Sequence, residues 1–396
     1  CDKSAIQTQY SVMYLKGSNL SAETEKRLYL AHDHFIYMDK NEITPLHYNL
    51  YLKPSFKNWT TEGTVKLQLE FSKPMKSFKL NQLDLQISNS KFLEREDIEL
   101  EVECDNEKQI ASFKCNNAIS GENELMVDFK GKITDSLLGL YRSHYYQGDE
   151  KKYIIVTQLE EREARKVFPC LDHPQFKAPI KITVEIPSEL TAISNQPIES
   201  EKQTKNGTKI VSFKKTPPMC TYTAFIGIGD FEYLSDEEKK PLTRVVGPPG
   251  RIKYGKFGLE VAQKCMKEMV DYTGVPYPLE KCDHIAVQDF AFGAMENWGA
   301  VTYRENILLV YPDQTTKENK TRIAEVIIHE ISHMWFGNLV SPVDWKYIWL
   351  NESFASFFMY HVTDVIFPEW EVWEDFYISD YLGGMERDAY RKTHPI

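Results

Sequence analysis

The sequence has no apolar run long enough to cross a membrane, no close pair of thiols, no internal repeat and no surplus of positive charge. Each absence closes off a class of function. The longest apolar stretches, such as "AEVIIHEISHMWF", are broken by ionisable residues and fall short of the roughly 20 residues a spanning helix needs. Lys and Arg number 47 against 58 Asp and Glu, a net charge of −11. An extended basic face for nucleic-acid phosphates is therefore not expected, and a cationic substrate group suits the balance better. The seven cysteines (Cys1, Cys104, Cys115, Cys170, Cys220, Cys265 and Cys282) are odd in number, with no C-x-x-C pair. That argues against a disulfide framework and a thiolate zinc site, and favours a cytoplasmic setting over a secreted or membrane-anchored one. Sequons at Asn19, Asn58, Asn206, Asn319 and Asn351 are the counter-signal, although the last would put a sugar beside Glu352. Neither a G-x-S-x-G elbow nor a phosphate-binding G-x-x-x-x-G-K-[ST] occurs.

What is present is 396 residues of ordinary globular composition, more than one core usually fills, so a multidomain α+β chain is expected. From 46 to 235 apolar residues alternate: "VKLQLEF" puts Val65, Leu67, Leu69 and Phe71 on one side, and "IELEVEC" and "IKITVEI" repeat the pattern. This half reads as an antiparallel β-sandwich. The charged, proline-rich "SDEEKKPLTRVVGPPGR" reads as an inter-domain connection, and residues 236 to 396 as mainly helical. Phe257, Val261, Cys265 and Met269 recur every four residues up to Gly274; a second helix stops at Gly337 and Asn338, and a third ends before Pro368. Residues 1 to 45, with His32 and His34, form an extension to which no role is assigned.

The second helix contains "HEISH". Residues four apart share a helix face, so His329 and His333 can present imidazole nitrogens to one ion. Glu330 is displaced around the helix to where a base acting on water at a metal belongs. Glu352, nineteen residues after His333 on the next helix, can complete a His₂Glu set, and nitrogen ligands favour zinc, one ion per chain, over magnesium or calcium.

"FGAMENWGAVTYRE" at 292 to 305 and "TQLEEREARKVFPCLDHPQFKAP" at 157 to 179, together with H-E-x-x-H and the later N-E, resemble the zinc aminopeptidases that include aminopeptidase N and puromycin-sensitive aminopeptidase. The resemblance implies an N-terminal β-sandwich or saddle domain followed by a thermolysin-like zinc catalytic domain. It implies peptide substrates with a free N-terminus, whose ammonium is held by Glu160 and Glu296. Gly293 and Ala294 would hold the substrate backbone, Gln158 would lie near the first side-chain pocket, and Met295 and Asn297 complete the substrate-binding motif. Phe292 departs from the small or polar residue usual before GAMEN and either narrows that pocket or packs in the core; Ser353 replaces the usual glycine after N-E. An epoxide hydrolase of the family carries Gln where Glu160 stands, so intact GAMEN and Glu160 argue for a peptidase. The family's oxyanion tyrosine and a closing helical domain follow the "HPI" at which this sequence stops, and neither Tyr381 nor Tyr390 matches that tyrosine. An incomplete catalytic domain, weak or inactive alone and with uncovered apolar helix faces, is the expectation. The alternative is a non-catalytic module binding zinc and peptides. The sequence assigns no oligomeric state.

Overall fold

The computed structural model describes residues 42–391 and 393. Cys1, Asn19, His32, His34 and nearly all of the expected extension lie outside the described residues.

The alternating residues form strands, as their period requires. Val65, Leu67 and Leu69 are 0 % exposed and Phe71 1 %, each contributing roughly 1.5–3 kcal/mol by leaving water. They lie on Thr60–Asn81, within an eight-stranded sheet. Its order is Ile198–Gln203, Thr208–Phe213, Ile180–Pro187, Ile43–Ser55, Thr60–Asn81, Ile110–Lys132, Gln86–Phe92, with Leu100–Asp105 also on Ile110–Lys132. The pairing is antiparallel except between Ile43–Ser55 and Ile180–Pro187, which run parallel and so need the long crossover the intervening chain supplies. A second sheet has the order Gly139–Gln147, Glu150–Gln158, Ile226–Gly229, Thr191–Ser194.

The later half is less purely helical than its periodicity suggests. A five-stranded mixed sheet orders Glu232–Ser235, Leu242–Gly247, Lys281–Val287, Ala300–Arg304 and Ala294–Met295. Glu232–Ser235 pairs across the expected boundary at 235/236, and the segment read as a connection contains Leu242–Gly247. Only its charged turn at 236–241 and the Pro-Pro-Gly turn at 248–251 are loop-like. Lys281–Val287 is buried at every position and pairs in parallel on both sides, so it shows no alternation for the sequence to reveal. Tyr141, Ile154 and Val156 of the second sheet pack with Val246, Ile285 and Ala300 of this one in a shared core.

Three long helices follow the expected faces. Helix α1 (Lys256–Thr273) buries Val261, Cys265 and Met269 and ends at Gly274, whose φ of 68° suits a residue without Cβ. Helix α2 (Lys317–Ser332) is capped by the Thr316 side chain, which accepts from the Asn319 amide. It ends at Ser332, five residues before Gly337, where the sequence placed its stop. Helix α3 (Trp349–Ile366) ends before Pro368. Along α3 and the short helices after it, Phe354, Phe357, Val365, Ile378 and Met385 are exposed. No helix of the described residues is long and apolar enough to cross a membrane, and no described cysteine is in a disulfide.

Candidate metal centre

His329 sits in the last turn of α2 and His333 at its C-cap, while Glu352 lies in the first turn of α3, which packs against α2. The His333 Nδ1 is 3.0 Å from the Phe336 carbonyl oxygen. A carbonyl only accepts, so Nδ1 carries the proton and Nε2 turns its lone pair inward. There, His333 Nε2 is 3.0 Å from His329 Nε2, and Glu352 places one oxygen 3.3 Å from His329 Nε2 and the other 3.7 Å from His333 Nε2. A tetrahedral cation with ligands at about 2.0–2.1 Å has edges of about 3.3–3.4 Å, which these separations bracket. The three side chains that the sequence nominated could therefore hold such an ion with little adjustment.

Glu330 is 4 % exposed, and its Oε2 has no hydrogen-bond partner among protein atoms. It forms a close group with Glu296 and His333, ligand atoms all within 4.8 Å of one another. Glu160, Glu296 and Glu352 form another group within the same limit, so the glutamate nominated from the β half does reach the metal triad. Ala294–Met295 is the edge strand of its sheet, pairing Ala294 with Tyr303, and the Arg304 amide donates to the Gly293 carbonyl at 2.9 Å. Gln158 is fully buried with both amide atoms lacking partners. Asn297 donates to Thr302 Oγ1 at 3.2 Å and leaves Oδ1 without a partner. Met295 is different: its side chain packs in the core under the sheet, leaving only backbone for a ligand. Phe292 packs against that same core, edge-on to Phe290, while remaining partly exposed.

Sequence reasoning did not single out the residues that hold these parts together. Asn338, after the α2 turn, donates from Nδ2 to the Glu296 carbonyl at 2.8 Å, tying GAMEN to the histidine helix. Asn351 donates to the Tyr222 hydroxyl at 3.4 Å and so links the ligand helix to the β half. Asn351 is buried, which closes its sequon to a sugar. Only the position of Asn351 beside Glu352 hinted at such a role; Tyr222 lies in a connecting segment with no local signal.

Electrostatics follow from burying four carboxylates together. Burial pushes the Glu160 carboxyl well above its ordinary pKa, and Glu296 and Glu352 push it further. Burial and then Glu296 and Glu352 do the same to Glu330. Glu296 is also raised, by burial first, with His333 opposing. At Glu352 burial is the largest influence and works against ionisation, yet His333 and His329 together hold the carboxyl below its ordinary value. Four acids facing two imidazoles form a site short of positive charge.

Residues 44–223 match the Peptidase M1 N-terminal domain and residues 257–396 the Peptidase family M1 domain. Over 361 residues the chain is 41 % identical to Aminopeptidase M1-A of Oryza sativa subsp. japonica, covering 89 % of this chain and 41 % of the rice protein. It is 37 % identical to Leucyl aminopeptidase of Saccharolobus solfataricus over 88 % of this chain and 42 % of that protein. Puromycin-sensitive aminopeptidase of Caenorhabditis elegans is 36 % identical over 89 % of this chain and 38 % of its own length. The chain thus spans about two fifths of the length of these curated relatives. With both domains matched in order and the glutamates and histidines of its motifs gathered at one centre, the chain belongs to the M1 peptidase family.

Proposed function

We propose that this chain carries the catalytic core of a zinc aminopeptidase that releases single N-terminal residues from peptides. The observation that carries the reading is that Glu352 belongs to both the His329–His333–Glu352 group and the Glu160–Glu296–Glu352 group. A cation site and an acidic ammonium site therefore adjoin. Within one amino acid the amine nitrogen and carbonyl carbon are about 2.5 Å apart, so a peptide amine held by Glu160 and Glu296 leaves its first carbonyl beside the triad. A dication and an ammonium would also supply the positive charge that the four acids lack.

His329, His333 and Glu352 would hold zinc, which when bound supplies a Lewis acid for the scissile carbonyl and acidifies water. Glu330, buried with a free Oε2, takes a proton from water and delivers it to the departing amine. Glu160 and Glu296 fix the register by accepting hydrogen bonds from the terminal ammonium. The edge strand at Gly293 and Ala294 offers backbone groups to an extended substrate, Asn297 bears on its turn, and Gln158 lines the space beside the first side chain. The free thiols of Cys104, Cys115, Cys170, Cys220, Cys265 and Cys282 suit a cytoplasmic, reducing setting.

The test is hydrolysis of fluorogenic aminoacyl amides, free and N-acetylated, with and without a zinc chelator. Cleavage confined to free-amine substrates and abolished by chelation is the expected result. Equal cleavage of acetylated substrates would remove the ammonium role of the glutamates. Stoichiometric zinc without turnover in any form of the protein would favour the binding module.

A further inference from the structure

The turn that follows α2 carries groups on which both parts of the centre depend, and a lysine of the β half holds it. We propose that Lys177 is a positioning residue: its ammonium clamps the turn 336–341, and through that turn sets the orientation of His333 and the place of Glu296. The inference rests on the peptidase reading above and extends it to a residue that acts through the turn rather than on metal or substrate.

The lysine stands on fixed backbone. Phe176 and Ala178 on either side of it are buried. The Phe176 amide donates to the His173 carbonyl at 3.0 Å, and Ala178 exchanges two backbone hydrogen bonds with Met219 at 3.1 and 3.2 Å. From there Lys177 Nζ reaches the carbonyl oxygens of Asn338 at 2.8 Å and Leu339 at 3.1 Å, and Ser341 Oγ at 3.0 Å. An ammonium has three N–H donors, and all three go to this one turn. Each acceptor is neutral. A half-buried ammonium whose partners include no carboxylate costs free energy that an apolar side chain of the same length would not, and burial accordingly pushes its pKa down. Such a departure from ordinary packing is expected where function requires it.

The turn needs a donor from outside because its own amides point back. Those of Asn338, Leu339 and Val340 donate to the carbonyls of His333, Met334 and Trp335 at 3.0, 3.2 and 3.1 Å. That closes the end of α2 and leaves the carbonyls of Asn338 and Leu339 for Lys177. Three features of the centre hang on the same turn. The Phe336 carbonyl accepts from His333 Nδ1 and so aims Nε2 inward. Asn338 Nδ2 holds the Glu296 carbonyl at 2.8 Å. Gly337, at a φ of 137°, brings its backbone so close that a Cβ would meet Asn351 Nδ2 at 3.2 Å and His333 Nδ1 at 3.4 Å. Ser341 donates on to the Gly337 carbonyl, which carries the grip of the ammonium into the turn. Moving the turn therefore moves the metal ligand and the ammonium acid together.

The test is the zinc dissociation constant, measured by competition with a chromophoric chelator, together with the melting temperature of each variant. Lys177→Met keeps the stem and removes the donors; it should weaken zinc binding about tenfold, the scale on which the outer partners of a metal ligand act. Lys177→Arg should also fall short of the parent, because a planar fork cannot send three protons from one nitrogen. Asp283→Asn, a control that lowers stability elsewhere, should leave zinc affinity at the parent value and so separates positioning from stability. Ser341→Ala removes one acceptor and keeps the lysine; it should weaken zinc by a smaller factor, and it carries the test if Lys177→Met does not fold. On free-amine aminoacyl amides, adding Lys177→Met to Asn338→Ala should lower kcat/KM little beyond Asn338→Ala alone, since both act through one turn. Parental zinc affinity in Lys177→Met, or a loss that Asp283→Asn reproduces at an equal fall in melting temperature, would overturn the role of Lys177 and leave the peptidase reading in place. Weakened zinc in Lys177→Met, with no turnover of free-amine amides by the unsubstituted protein, does the reverse.

Discussion

Two buried charge clusters, one on the five-stranded sheet and one at its edge beside the histidine helix, differ in whether they are closed. In the first, Asp283 takes both nitrogens of Arg244 at 2.7 and 2.8 Å and Lys281 Nζ at 2.8 Å. Lys281 also donates to the carbonyls of Ser194 and Gly299, each at 2.7 Å, so every strong donor has an acceptor. In the second, Glu160, Glu296, Glu330 and Glu352 share two histidines, and oxygens of Glu296 and Glu330 have no protein partner. Burial is similar in both. The closed cluster fastens the sheet to the β half through Ser194, whereas the open one keeps coordination capacity for something the chain does not contain.

Breaking the open cluster should cost activity and leave the fold. In the most active form of the protein, Glu330→Gln should lower kcat by about 10²–10⁴, equivalent to about 3–5 kcal/mol, at unchanged zinc content. A melting temperature that falls with the activity would instead make Glu330 a structural residue. The closed cluster should behave the opposite way. Asp283→Asn leaves Lys281 buried without its countercharge and should cost about 3–5 kcal/mol of stability in denaturant unfolding, with specific activity of the folded fraction kept.

Acidification probes the closed side further. Burial pushes the His284 imidazole down to about 4, with Asp283 opposing. Between about 6.5, where the unfolded residue titrates, and 4, the unfolded chain binds a proton that the folded chain does not, so stability falls as pH drops through that window. The loss amounts to about 3 kcal/mol and should appear in melts at stepped pH; a His284→Gln variant whose slope between pH 6.5 and 4 matches the parent would contradict it. At Asp283 burial raises the pKa, but Lys281 and Arg244 hold it below its ordinary value, so its contribution disappears only below about pH 4. The smallest effect belongs to the ammonium site. Glu296→Gln should lower kcat/KM on free-amine substrates by about 10–100-fold, the worth of a charged hydrogen bond, and narrow the gap to acetylated ones. An unchanged gap would separate Glu296 from amine recognition.

Local periodicity made much of this protein legible. The two-residue alternation of Val65, Leu67, Leu69 and Phe71 and the four-residue repeat of Phe257, Val261, Cys265 and Met269 each name a buried face without help from distant chain. His329 and His333 converge because one helical turn separates them, which the sequence states outright. Lys281–Val287 was missed because burial on both faces erases alternation, and the motif that nominated Met295 does not say which way its side chain turns, which in the fold is into the core.

Chain order by itself therefore determined the helix that presents the histidines, the β-sandwich strands and the acidic balance of the molecule. Only the tertiary structure decided that Glu160, carried at the end of a strand in the β half, closes on Glu296 and Glu352 from two other elements. It also decided that Asn338 and Tyr222 brace them. The physical reason is range: backbone geometry repeats every two or four residues, whereas a cluster of like charges has no local period and exists only where long-range packing forces it together.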